Sequence, residues 1–292
     1  MVDKTEQETG NMKNSPILII GKNGKTGQRV EQRLQGLGYA TRGVSRSTDP
    51  GFDWEDQASW REALAGIRSA YITFHPDLAI PSAGQSIRDL VALAAEMGLQ
   101  HLVLLSGRGE AGARRAELVL EESGLDWNIV RANWFMQNFS ESFMIEGILN
   151  GELMLPAGAI AEPFVDVDDI ADVAVAALTR PELRNREFAV SGPRAMTFAE
   201  CVAAISEATG YPVRYTQIPI ESFIEGMRAE GAPDELLWLM RELFAVVFDG
   251  RNSSPTTGVE EALGRPATDF TEYLRKVMMS GAWDRSGMQQ QA

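Results

Sequence analysis

A doubly wound α/β fold, with a parallel sheet covered by helices on both faces, is what three features of the sequence predict. Apolar runs without polar alternation recur along the first half, and each is followed by a stretch with apolar residues at helical spacing. Each of those stretches stops at a glycine. The first strand and first helix are joined by GKNGKTG at 21–27. Strands are expected at ILII (17–20), ATRGVS (40–45), AYITF (70–74), HLVLLS (101–106) and WNIVR (127–131). Between them, Val30, Leu34 and Leu37 share a helix face ahead of Gly38. Ile87, Leu90, Val91 and Ala94 do so ahead of Gly98, and Ala116, Val119 and Leu120 ahead of Gly124. A strand–helix rhythm of this kind builds a parallel sheet.

After about residue 150 the rhythm changes. ELMLP, PFVDV and EFAV are expected strands and DDIADVAVAAL a helix. Thr197 and Glu200 form a capping box that opens another helix. VRYTQ (213–217) and helical stretches at 219–230 and 233–247 follow. The expected organisation is a disordered tail at 1–14, a nucleotide-binding domain at 15–150, a smaller α/β lobe at 151–283 with some elements returning to the sheet, and a second tail at 284–292. The lobe is expected beside the sheet's carboxyl edge, where such folds bind ligands.

Composition narrows the function. Among 292 residues, 27 are basic and 41 acidic, a formal charge of −14 that repels a phosphate backbone, so nucleic acid is not an expected partner. Cys201 is the single cysteine, and His75 and His101 are the two histidines, so neither a disulfide nor a metal site is expected. The head MVDKTEQETGNMKN lacks the apolar core of a signal peptide, and no stretch has the length and apolarity of a membrane span. A cytoplasmic protein, monomeric or weakly dimeric, is expected.

The glycine spacing has a physical reading. Gly21 makes the tight turn, Gly24 lets the backbone approach a pyrophosphate, and Gly27 allows close packing of the helix, whose N-terminus favours the anion. Asn23, Lys25 and Thr26 complete the loop. The second strand ends VSRST, with Arg46 where folds of this type place an acidic residue for the ribose of NAD. An arginine there suits a 2′-phosphate, and Lys25 adds a second positive charge, so NADP(H) is expected over NAD(H).

Taken in order, ILIIGKNGKTG, SRST, FDWEDQASWREALAG, HLVLLSG, SGLDWNIVRANWFMQNF, ELMLPAG, PFVDVDDIADVA and GRPATDF resemble the NmrA-like branch of the atypical short-chain dehydrogenase/reductases. Within it, the pattern is most similar to the group of festuclavine synthases and agroclavine dehydrogenases. The resemblance spans roughly residues 16–283 and implies an NADPH-binding Rossmann core. It implies that Asp53 and Trp54 lie near the adenine, and Thr73, Phe74 and His75 along the ribose and pyrophosphate. It places Phe135, Met136, Gln137 and Asn138 near the nicotinamide and substrate.

The chemistry departs from the usual pattern. Short-chain dehydrogenases protonate a carbonyl with a tyrosine whose pKa is lowered by a lysine four residues later. Here lysines occur at 4, 13, 22, 25 and 276, none four residues after a tyrosine, and no tyrosine lies between Tyr71 and Tyr211. Where relatives often carry a lysine, four residues before Glu117, stands Ala113, with Arg114 beside it. An arginine orients but does not exchange protons near neutral pH. Two functions remain: hydride transfer from NADPH to a small activated acceptor of iminium, quinone or enone type, and a non-catalytic NADP(H) sensor of NmrA type. The aromatic group Trp134, Phe135, Met136, Phe139 and Phe143, with Pro76, His75 and Phe164, is expected either to line a crevice for a planar hydrophobic acceptor or to form core. Ser106 and His75 are the candidate proton donors. Asp166, Asp168, Asp169 and Asp172 are expected to serve a helix start rather than a metal. LLWLMRELFAVV (236–247) is expected to be core or a self-association face.

Overall fold

The computed structural model describes residues 15–285. The expected tails therefore lie outside the described residues, apart from Asp284 and Arg285. Arg285 is held in place: its guanidinium covers the Tyr211 ring at 3.4 Å and donates to the Ile148 carbonyl at 2.9 Å.

The chain runs β1 (Ile17–Ile20), α1 (Lys25–Gly36), β2 (Thr41–Val44), a 3-10 turn (Gln57–Ser59) leading into α2 (Trp60–Leu64), β3 (Ser69–Ile72), α3 (Ala83–Glu96), β4 (His101–Gly107), α4 (Ala111–Glu121) and β5 (Asp126–Ala132). A 3-10 turn (Met136–Phe139), α5 (Met144–Asn150), β6 (Glu152–Leu155), α6 (Val167–Thr179), β7 (Arg186–Val190), α7 (Phe198–Thr209) and β8 (Arg214–Gln217) come next. α8 (Ile220–Ala229), α9 (Asp234–Arg241), a π-helical turn (Glu242–Val247), α10 (Gly258–Leu263) and α11 (Phe270–Ser280) complete it.

Two compact units emerge. The first takes the described residues up to Ala132 together with Asp168–Ala189 and Gly258–Arg265; the second takes Asn133–Val167, Val190–Thr257 and the described residues from Pro266. The chain leaves the first unit at the end of β5 and comes back to it twice.

The first unit holds the six-stranded sheet, in the order β2-β1-β3-β4-β5-β7. β1 pairs in parallel with both β2 and β3, β3 with β4, and β4 with β5. β1 and β3 are buried throughout, as apolar runs covered on both faces must be. The order reverses at β1/β3, the switch point outside which doubly wound sheets bind ligands. Gly38, Gly98 and Gly124 end three helices at positive φ.

Arginines of α1 meet the carboxylates of α6. Arg29 reaches Asp168 at 3.3 Å; Arg33 reaches Asp168 at 2.8 Å and Asp172 at 2.6 Å. Arg265 binds Asp169 at 2.8 Å and Asp172 at 2.6 Å. These carboxylates are ion-pair partners that tie helices together, and no metal-ligating group of three occurs among the described residues.

Deeper in the sheet, His101 is fully buried with Nε2 2.9 Å from Asn128 Oδ1, while the Asn128 amide donates to the Leu183 and Arg186 carbonyls. Burial lowers the His101 pKa from 6.5 to about 4. The unfolded chain thus binds a proton that the native state refuses, so stability falls as pH drops from about 6.5 towards 4. The full difference is worth about 3 kcal/mol. Urea unfolding at pH 7.5 and 4.5 should show wild type losing more stability than His101→Gln; equal losses would refute this account.

The second unit holds a parallel pair, β6 and β8. Around it packs an aromatic core in which Phe198 contacts Trp134, Phe139, Phe164 and Phe244 at centroid distances of 5.0–6.3 Å. The Thr197–Glu200 capping box opens α7 with both reciprocal bonds. PFVDV does not form a strand: Val165 bonds instead to the loop at Trp134 and Met136 as an isolated bridge with Phe135. Of the segment 236–247, Leu237, Leu239, Met240, Phe244 and Val247 are buried, while Trp238 and Val246 are exposed. No helix of the described residues is long and apolar enough to cross a membrane.

Candidate functional site

The glycine loop lies at the switch point, and its three glycines differ in what holds them. Gly21 has φ +84°, and a Cβ there would stand 2.0 Å from Thr73 Oγ1, which itself donates to the Ile20 carbonyl at 2.9 Å. A Cβ on Gly27 would stand 2.2 Å from the Gly21 carbonyl oxygen, so the start of α1 packs directly on the turn. Gly24 is different. It is exposed, and a Cβ there would meet only the Gly21 oxygen, at 3.2 Å. Gly24 is the N-cap of α1, with no side-chain capping bond and no acidic residue in the first turn. That leaves an open, positively polarised helix end, the arrangement that receives a phosphate.

The other loop residues surround this point. Asn23 donates to Ser45 Oγ at 3.1 Å, joining the loop to the turn after β2. Thr26 is buried, and Lys25 is half-buried with its carbonyl accepting from Arg29. In the turn, Thr48 donates to the Ser45 and Pro50 carbonyls and accepts from the Ser45 amide. Arg46 projects from it, exposed, with no hydrogen bond or ion pair among the described residues. An unpaired arginine on a turn braced by its neighbours is a ready partner for an anion.

Asp53 spends its carboxylate locally, accepting from the Glu55 amide at 3.1 Å, while its carbonyl accepts from Trp60 Nε1 at 2.6 Å. Trp54 donates to the Thr73 carbonyl at 3.3 Å and packs on Phe74 with centroids 4.6 Å apart. Phe52 and Trp60 complete an aromatic group beside the exit of β3. His75 follows, exposed and without a partner among the described residues, then Pro76, half-buried.

Ser106 is 4 % exposed, and its hydroxyl donates to Glu117 Oε1 at 2.6 Å. Glu117 is fully buried and also binds Arg131, at 2.8 Å from Nε, and Arg114, at 3.0 Å. Ser106 thus turns its proton inward to a carboxylate. One pair escaped sequence reasoning. Beyond the ends of β3 and β4, Asp77 accepts from the Ala79 amide at 2.8 Å and the Glu110 carboxyl lies over Gly107. The only sequence signals for it are Gly107 and Gly112, small residues flanking Glu110.

The remaining candidates belong to the second unit. Met136, Phe139 and Phe164 are 1, 0 and 3 % exposed and pack its core, so of the expected crevice residues these three have no surface to offer a ligand. Gln137 is also internal, bridging Asp166 at 2.7 Å and the Val167 amide at 2.8 Å. Trp134, Phe135 and Asn138 remain half-exposed.

The model of the NmrA-like family matches residues 13–274. The chain belongs to the NmrA-like family. An NAD(P)H azoreductase of Xenophilus azovorans is 29% identical over 284 residues, covering 89% of this chain and 96% of that one. The agroclavine dehydrogenase of Claviceps fusiformis is 24% identical over 277 residues, covering 88% and 96%. Among solved structures, the triphenylmethane reductase of Citrobacter sp. complexed with NADP(H) superposes with a TM-score of 0.76 at 16% identity, covering 90% of this chain and 99% of that one. NmrA itself, a negative transcriptional regulator in complex with NADP, gives 0.66 at 16%, covering 94% and 96%. The family agrees with the ordered motifs, and the structural likeness agrees with the parallel-sheet fold.

Proposed function

We propose that the protein is an NADPH-dependent oxidoreductase that passes hydride to a small activated acceptor of iminium, quinone or enone type without a Tyr-Lys dyad. The observation that carries this reading is the open, uncapped N-terminus of α1 at Gly24 with the unpaired Arg46 nearby in sequence order after β2. The backbone amides at Gly24 and Lys25 receive the pyrophosphate, Arg46 with Lys25 the 2′-phosphate, and Trp54 and Phe74 give the adenine an apolar wall. Asp53, Thr73 and His75 stand along the same edge. Bound dihydronicotinamide supplies the hydride. An activated acceptor already carries the electron deficiency that draws it, so positioning outweighs strong acid catalysis. His75 and Pro76, past the end of β3, keep surface for a ligand on the same unit. The relatives named above, an NAD(P)H azoreductase and an agroclavine dehydrogenase, are oxidoreductases, which supports this reading.

A second reading, an NADP(H) sensor without turnover, is favoured by the likeness to NmrA bound to NADP. An NADPH-oxidation screen across quinones, cyclic iminium ions, enones and azo dyes, run beside calorimetric NADPH binding, separates the two. Turnover of an acceptor supports the reductase, and tight binding with none supports the sensor.

Cofactor preference gives a sharper test. A charge-assisted bond from Arg46 is worth about 1.5–3 kcal/mol, so NADPH should bind at least about tenfold tighter than NADH. Arg46→Ala should erase most of that difference and leave NADH affinity nearly unchanged. Equal affinity of the wild type for both cofactors would sink the assignment.

A further inference from the structure

β2 ends at Val44, whose carbonyl accepts the Gly21 and Lys22 amides at 3.1 and 3.3 Å, so backbone joins the glycine loop to the turn that begins at Ser45. Side chains continue that seam. Asn23, between the first two glycines of the loop, donates from Nδ2 to Ser45 Oγ at 3.1 Å, and the Ser47 amide donates to the same oxygen at 3.3 Å. Ser45 Oγ also lies 3.1 Å from Ser47 Oγ. A hydroxyl has two lone pairs and one proton. Two N–H groups fill both lone pairs of Ser45, so Ser45 is the donor and Ser47 the acceptor of the bond between the hydroxyls. The Ser47 proton then has no acceptor among the described residues, and Ser47 is exposed. The chain of bonds therefore runs one way, from the glycine loop to an O–H left free to donate, beside the exposed and unpaired Arg46. The turn that carries them is fixed from below. The Ser45 carbonyl accepts the Phe52 amide at 3.0 Å and the Thr48 hydroxyl at 2.9 Å, and Phe52 is buried, stacked on Trp60. Lys22 of the loop is engaged elsewhere, by Glu31 at 3.7 Å.

We propose that Ser47 is a specificity-determining residue for the 2′-phosphate of NADPH, and that Asn23 and Ser45 are positioning residues that keep its proton available. This role rests on the NADPH reading above and adds to it a donor that the charge pattern does not contain. A phosphate group offers three strong acceptor oxygens and, as a dianion, nothing to donate. A guanidinium and a neighbouring hydroxyl with a proton still to give meet it with charge-assisted bonds, on a turn that needs no rearrangement. The 2′-hydroxyl of NADH is uncharged, so the same O–H gains far less from it. Asn23 enters through polarity alone. Without its amide one lone pair of Ser45 falls empty, Ser47 can turn its proton inward to fill it, and the donor is lost to the ligand. A residue of the glycine loop thereby controls discrimination at the turn after β2.

Calorimetric binding to the full chain tests this without any turnover. The probes are NADPH and NADH, with adenosine 2′,5′-bisphosphate and 5′-AMP as the adenosine half with and without the 2′-phosphate. Ser47→Ala should bind NADPH and the bisphosphate about tenfold more weakly, while NADH and 5′-AMP stay within about twofold of wild type. Ser47→Thr, which keeps the hydroxyl, should restore the wild-type ratio of NADPH to NADH affinity. Asn23→Ala should lower that ratio in the same direction, and should lower it no further in a Ser47→Ala background, because it acts through that hydroxyl. A loosened loop would weaken both cofactors alike, so NADH affinity reports whether each variant keeps the site. An unchanged ratio in Ser47→Ala overturns the proposal and leaves Arg46 as the discriminating group. An Asn23→Ala effect on the ratio that persists in full in the Ser47→Ala background overturns the chain of bonds as its cause. Equal binding of NADPH and NADH by the wild type is a different failure: the NADPH reading itself falls, and this role with it.

Discussion

Gly24→Val should leave the protein folded and unable to bind NADPH, whereas Gly27→Ala should damage the fold itself. The difference follows from what a side chain would meet. At Gly24 only one contact closer than ordinary packing appears, 3.2 Å to the Gly21 oxygen, and the rest of the volume is open. A valine there fills the space through which a pyrophosphate reaches the first amides of α1. Losing one or two charge-assisted bonds of about 1.5–3 kcal/mol each weakens binding by roughly 10- to 10⁴-fold. At Gly27 the collision is with the backbone of the turn, 2.2 Å from the Gly21 oxygen and 2.8 Å from its carbonyl carbon, and relief requires α1 to lift from the turn. Overpacking of that kind costs on the order of 1–3 kcal/mol or more. Circular dichroism, thermal unfolding and NADPH titration on the same samples check both. Full NADPH affinity in a folded Gly24→Val would mean that the loop is an ordinary turn between a strand and a helix.

That contrast also marks where the sequence was informative. A glycine loop between an apolar run and an amphipathic helix is local: spacing within seven residues carries its geometry, and so the βα unit was legible. The helices ending at Gly38, Gly98 and Gly124 were legible for the same reason. Long-range consequences were not. α6 and β7 belong to the first unit because β7 lies beside β5 and α6 is held by arginines of α1 some 135–139 residues earlier, and periodicity carries no record of such partners. Asp168 and Asp172 were readable as helix-start residues, but their three arginines were not. Met136, Phe139 and Phe164 have the same sequence signature whether they line a crevice or fill a core; only the packing around Phe198 distinguishes the two. Asp77 and Glu110 stand 33 positions apart in the chain, and their segments leave the sheet side by side only because β3 and β4 are neighbours in it. Ser106 was a candidate proton donor, yet a carboxylate eleven residues later accepts its hydrogen bond.

That carboxylate, Glu117, is where one substitution should cost the most stability. It is fully buried and holds Arg131 by two bonds, Arg114 by one and Ser106 by one. Arg131 keeps 21% of its side chain exposed and also reaches Glu187 at 2.5 Å, so it would not be stranded entirely if Glu117 were lost. Breaking a buried pair by removing one partner costs about 3–5 kcal/mol, and this partial compensation favours the lower end, about 3 kcal/mol, for Glu117→Ala. For a chain of this size that is a fall in Tm of roughly 6–12 °C. The pH dependence has a definite sign. Hydrogen bonds and charge from Arg131, with Ser106 and Arg114, outweigh burial and hold the Glu117 carboxyl below its usual value of 4.5. The group therefore stabilises the fold above the unfolded pKa, and the contribution is lost as pH falls through the lower folded value. Thermal unfolding of wild type and Glu117→Gln at pH 7 and again at the acid end of the folded range should show the gap between them narrowing with acid. A gap that stays constant or widens would show that Glu117 stabilises by packing alone, with its charge contributing nothing.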